Sequence, residues 1–89
     1  MTCDPRDLSA LSYANGFTLW HYRTGDSVSL VDDAGYFDSA ARMLRVGDFI
    51  FVNADMDTSA SHGVLVVVAN DNISVDVTNV VAFGTLNSD

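Results

Sequence analysis

Phe17-Thr18-Leu19-Trp20-His21-Tyr22-Arg23-Thr24 is dense in aromatic and β-branched residues. That composition predicts a strand. Alternation splits it into two faces, Phe17/Leu19/His21/Arg23 and Thr18/Trp20/Tyr22/Thr24. Neither face is purely polar, so both are expected to touch protein. Asn15-Gly16 before it and Gly25-Asp26 after it are turn signals. Val28-Ser29-Leu30-Val31 reads as a short strand or an irregular edge.

Further along, residues 32–35 carry a second turn. Phe37, Ala40, Ala41 and Leu44 then follow i, i+3, i+4, i+7 spacing, the mark of one helical face. Asp38 or Ser39 would cap its start, and Gly47 lies just past its end. Such a helix has two turns at most and must be held by packing. Asp48–Val52 reads as a strand leaving that turn, and residues 53–62 as a polar loop. Val64–Val68 is a continuous apolar strand, expected to be covered on both faces. Asn70-Asp71-Asn72 marks a tight turn. Ile73, Val75 and Val77 alternate with polar residues, and Val80, Val81 and Phe83 extend that strand.

Residues 1–12 are polar, contain the only proline, and read as an N-terminal arm. Residues 13–89 form a single β domain. The expected class is mainly β: a small antiparallel β-barrel or sandwich of five to six short strands with one short helix.

The chain has 89 residues and a net charge of −8, with four Arg, twelve Asp and neither Lys nor Glu. Phosphate backbones and anionic lipid repel such a chain, so neither a nucleic-acid nor a membrane partner is expected. Asp suits turns, whereas Glu and Lys suit exposed helices, which again favours a turn-rich β domain. Cys3 is the only cysteine, which excludes an intramolecular disulfide and a thiolate metal cluster. The N-terminus lacks the apolar stretch of a signal peptide. The longest apolar run, Gly63–Ala69, is too short to span a bilayer.

Few residues suggest chemistry. Asn53, Asp55, Asp57 and Ser59 place oxygens at alternate positions, as a calcium loop begins. Thr58 and Val64 stand where such a loop needs glycine and a bidentate acid. His21 and His62 have no zinc-like spacing, and no sequence context marks Cys3 or a serine as a nucleophile. No catalytic residue, metal or cofactor is therefore expected, and the chain does not read as an enzyme. The aromatic residues Trp20, Tyr22, Tyr36 and Phe37 suit a core. So small a chain has limited interior, which makes Phe49, Phe51 and Phe83 candidates for a subunit interface. Arg23, Arg42 and Arg45 are scarce positive charges, suited to Asp pairs within or between subunits.

Tyr13–Thr24, Ala34–Phe37 and Met43–Asp48, in this order and spacing, resemble the head-decoration (capsid cement) proteins of roseophage-like siphoviruses of alphaproteobacteria. The resemblance spans residues 11–83. It implies a non-enzymatic virion protein, made in the host cytoplasm and placed on the outer capsid surface as a homotrimer. Its partner would be the major capsid protein, with neighbouring copies clamped together. The candidate interface residues are Trp20, Tyr22, Arg23, Tyr36, Arg42 and Arg45, with the arm as a further contact element. Other readings stay open: an acidic accessory protein mimicking DNA for a basic partner, a tail or head–tail joint protein, or a small barrel binding a ligand or metal ion.

Overall fold

The computed structural model describes residues 3–83. A 3-10 turn at Pro5–Asp7 leads into β1 (Leu8–Ala14), followed by β2 (Phe17–Arg23) and the one-turn helix α1 (Val28–Val31). A second 3-10 turn at Asp38–Ala40 precedes β3 (Phe49–Ala54), β4 (Ser61–Asn70), β5 (Val75–Val77) and β6 (Val81–Ala82). The mainly β class with six short strands and one short helix is thus as the sequence indicates.

The six strands form one sheet in the order β1-β2-β3-β4-β5, with β6 also paired to β4. The sheet does not close into a barrel. It is also not purely antiparallel: β2 and β3 run parallel, from Leu19 opposite Phe49 to Arg23 opposite Asn53. Two antiparallel hairpins, β1–β2 and β3–β4, therefore meet along a parallel seam. A parallel pair requires a crossover connection, and residues 24–48 supply it.

That crossover covers one face of the sheet. Trp20, Tyr22, Ile50, Val52, Ala54, Leu65, Val67, Val75 and Val77 point into a core shared with Val31, Tyr36, Phe37, Ala40, Ala41 and Leu44. Tyr22, Tyr36 and Phe37 meet edge to face, with centroids 5.1–6.1 Å apart.

Several expectations are corrected. The helix predicted from Phe37 to Leu44 is a 3-10 turn followed by further turns. Its apolar spacing nevertheless reports a real face, since Phe37, Ala40, Ala41 and Leu44 are all buried. The helix stays short because its expected cap is used elsewhere: Asp38 Oδ1 accepts from the Val75 amide at 2.8 Å. Tertiary partners also take its last carbonyls, with Asn70 Nδ2 donating to those of Ala41 and Leu44 at 2.8 and 2.6 Å. The helical turn falls instead at Val28–Val31, where the Ser27 side chain caps the Leu30 amide.

The expected arm over residues 1–12 is, from Cys3 onward, part of the fold. Cys3 and Leu8 are buried, and β1 pairs with β2 from Leu8 opposite Tyr22 to Ala14 opposite Phe17, with Leu11 in a bulge. Asn15 and Gly16, at φ of 52° and 85°, make the two-residue turn that joins them. Val64–Val68 lies against the core on one face only. Ile73 is exposed and precedes β5.

Candidate interaction surface

The interior polar groups hold the fold together. Asp48 is fully buried. Gly47, at φ 95°, turns the chain so that the Asp48 amide bonds the Arg45 carbonyl and its carboxylate points back beneath β2. Three donors converge on that carboxylate: the Thr18 amide at 2.9 Å, the Trp20 indole at 3.0 Å and the Arg45 amide at 3.0 Å. A buried carboxylate without a cation is tolerable only with such a set of donors. The Tyr36 hydroxyl donates to Asp26 at 2.6 Å and lies 2.9 Å from the Tyr22 hydroxyl. Burial first, then these bonds, pushes the Tyr36 phenol well above its ordinary range. Burial likewise raises the Cys3 thiol, which sits 3.0 Å from Ser39 Oγ. Among the described residues, every buried side-chain nitrogen and oxygen has a hydrogen-bond partner.

These positions correct the candidate interface. Trp20, Tyr22 and Tyr36 are at most 8% exposed and lie in the core, so they position the fold and offer no contact surface. Their large apolar bodies pack between sheet and crossover, and their polar atoms are spent inside: the Trp20 indole on Asp48, the Tyr36 hydroxyl on Asp26, and the Tyr22 hydroxyl on Tyr36 and the Asp4 amide. Arg23, Arg42 and Arg45 are exposed. Among the described residues the one ion pair joins Arg6 to Asp4, at 2.9 Å.

The other face of the sheet carries the surface. Its rungs run across the strands: Leu19, Phe49 and Val66, then His21, Phe51, Val64 and Val81. Phe17 flanks the first rung, its ring centroid 5.9 Å from that of Phe49. Phe83 closes the other side, 6.3 Å from Phe51. Phe17, Phe49, Val81 and Phe83 are 38%, 41%, 65% and 46% exposed. The outward positions of β2, β3, β4 and β6 hold no Asp, in a chain that has twelve. Of the aromatic residues proposed for an interface, Phe49, Phe51 and Phe83 sit here together. The sequence signal was the second apolar face of β2, with its alternating counterpart in β3.

One end of this face is polar. Asn53 sits between the two imidazoles: its Nδ2 lies 2.8 Å from His21 Nε2, and its Oδ1 lies 2.5 Å from His62 Nδ1. An amide NH2 donates and its oxygen accepts, so in this arrangement His21 Nε2 accepts and His62 Nδ1 donates. In the alternating series from Asn53 to Ser59, the first side chain bonds the two imidazoles on the sheet face. Asp55, at φ 53°, bends the following turn, where its amide bonds the Asp26 carbonyl. Among the described residues, no group of three or more His, Cys, Asp or Glu is placed to hold a metal ion. No helix among them is long and apolar enough to cross a membrane.

Comparison of the chain with family models, curated proteins and solved structures gives no match.

Proposed function

We propose that this chain is a non-enzymatic structural subunit that works by assembly, as a capsid decoration protein on the outer shell of a phage. One observation carries the assembly reading: a chain of net charge −8 keeps an apolar, Asp-free sheet face exposed. The largest contiguous apolar patch on a small domain is often a functional surface, and one free of Asp in so acidic a chain suits contact with protein. The polar groups elsewhere support the reading by being committed to structure. Asp48, Asp26, Asp38 and Asn70 each bond a backbone or tyrosine group. The particular assembly, a homotrimer clamping copies of the major capsid protein, rests on the resemblance in residues 11–83. Arg45, in a resembling segment, and Arg42 just before it lie off the sheet at the end of the crossover, exposed and suited to meet carboxylates of a shell. Repetition over a symmetric subunit converts such weak contacts into firm attachment.

The test is co-sedimentation of the full chain with mature, expanded capsids of the phage that encodes it, with bound copies counted. Saturation at a fixed number of trimers per shell is the expected result. Absence of binding, together with absence from intact virions, would overturn the capsid reading. It would favour the acidic mimic of DNA, for which a pull-down on basic host proteins is the direct assay.

A further inference from the structure

We infer that the open face of the sheet, centred on Phe49, Phe51 and Val64, is the surface through which one copy of this chain binds a second copy. The inference rests on the reading that this chain works by assembly, and it names a self-contact that holds without the shell: a face that meets its own copy closes a two-fold pair, distinct from the three-fold contact that the resemblance implies.

Architecture supplies the first argument. A sheet buries its apolar face against a second layer. Here the crossover provides that layer on the Trp20/Tyr22 side. The Leu19/Phe49/Val66 side is apolar too, yet its outer members stay exposed. Another sheet packed about 10 Å away would complete a sandwich.

Charge identifies the occupant. Two copies at −8 repel one another, and contact through the Asp-bearing turns would bring Asp against Asp. The outward positions of β2, β3, β4 and β6 avoid this, because their only titratable or charged members are His21, His62 and Arg23. His21 and His62 are held on Asn53, and Arg23 lies at the rim beside it. Copies of this chain can therefore meet here without opposing carboxylates.

The size of the face also fits. Phe17, Phe49, Val81 and Phe83 together expose on the order of 350 Å², within the range of the largest patch on a typical monomer. The half-buried Leu19, Phe51, Val64 and Val66, with the polar rim, bring one side toward the roughly 800 Å² per partner of a specific interface.

The test is the solution mass of the full chain, by sedimentation velocity from about 5 to 200 µM (a range spanning micromolar affinities). Wild type is expected to form a discrete oligomer. Phe49→Asp and Val81→Asp should each raise its dissociation constant at least tenfold while the far-ultraviolet spectrum is retained. Val81 is the more exposed, on a two-residue edge strand, so V81D reports even if F49D fails to fold. A wild-type monomer throughout the range overturns the inference, whatever else covers the face. So does an oligomer unmoved by V81D and by a folded F49D. Co-sedimentation separates this result from the capsid reading. A monomer that still saturates shells sinks only the self-contact, whereas an oligomer that ignores them sinks only the shell.

Discussion

The indole N–H of Trp20 donates to the carboxylate of Asp48 at 3.0 Å, tying β2 to the turn that launches β3. The parallel seam is thus secured at its entry by a side-chain bond as well as by its ladder. Trp20→Phe keeps most of the apolar bulk and removes this donor. It should cost about 1–3 kcal/mol. Asp48→Ala should cost more, because it strips the acceptor from three donors at once. Urea midpoints of the two variants check the order, and a Trp20→Phe midpoint equal to wild type would refute it.

Tyr36 predicts how alkali acts. Its phenol is pushed up by burial and by its bonds to Asp26 and Tyr22. A group that holds its proton more tightly when folded contributes stability that is complete below its unfolded value, about 10 for tyrosine. That contribution is lost as pH rises beyond it. Denaturant midpoints should therefore hold up to about pH 10 and fall progressively above it. Tyr36→Phe, less stable at neutral pH, should show a shallower fall over the same interval. Parallel curves for the two proteins would rule this out.

Gly63 is a buried position on β4 opposite Ala82, where β6 approaches. A Cβ there would lie 2.7 Å from the Val81 carbonyl oxygen and would also strike Val80. Gly63→Ala should displace β6 and cost about 1–3 kcal/mol, the range for overpacking. Amide exchange of Val81 and Phe83 should quicken more than that of β2. Unchanged exchange at β6 would show that the strand accommodates the methyl.

Arg42 and Arg45 separate folding from attachment. Both side chains are exposed, and Arg45 serves Asp48 only through its backbone amide. Arg42→Ala with Arg45→Ala should stay within about 0.5 kcal/mol of wild-type stability. If the capsid reading holds, the pair should weaken shell binding at least tenfold. Trp20→Ala should also lower binding, but in step with its loss of folded protein. Full binding by the folded double variant would remove this corner from the contact.

Strand positions were legible because the period of two is written in side chains. Trp20 and Tyr22 alternate with Leu19 and His21, and the structure puts them on opposite faces. Pairing partners were not legible, since alternation in β2 and β3 is the same whether they run parallel or antiparallel. β1 had a readable signal: Asn15-Gly16 suits a two-residue hairpin, which requires a strand before it as well as after it. Polarity at residues 1–12 masked that. Asp48 was read as the first residue of a strand. Its burial follows from Trp20, whose indole needs an acceptor once the ring is inside. The open face was half legible: neither face of β2 looked purely polar, but only the fold shows that the crossover covers one of them.

The parallel seam also bears on how quickly the molecule forms. Each hairpin closes over a short turn or loop, so β1–β2 and β3–β4 can zip locally and early. The seam between them must wait for residues 24–48 to settle over the inner face, since only then do β2 and β3 come side by side. Until that moment, two apolar hairpins with unpaired edges are exposed together. At high protein concentration this interval is the one in which aggregation competes with folding.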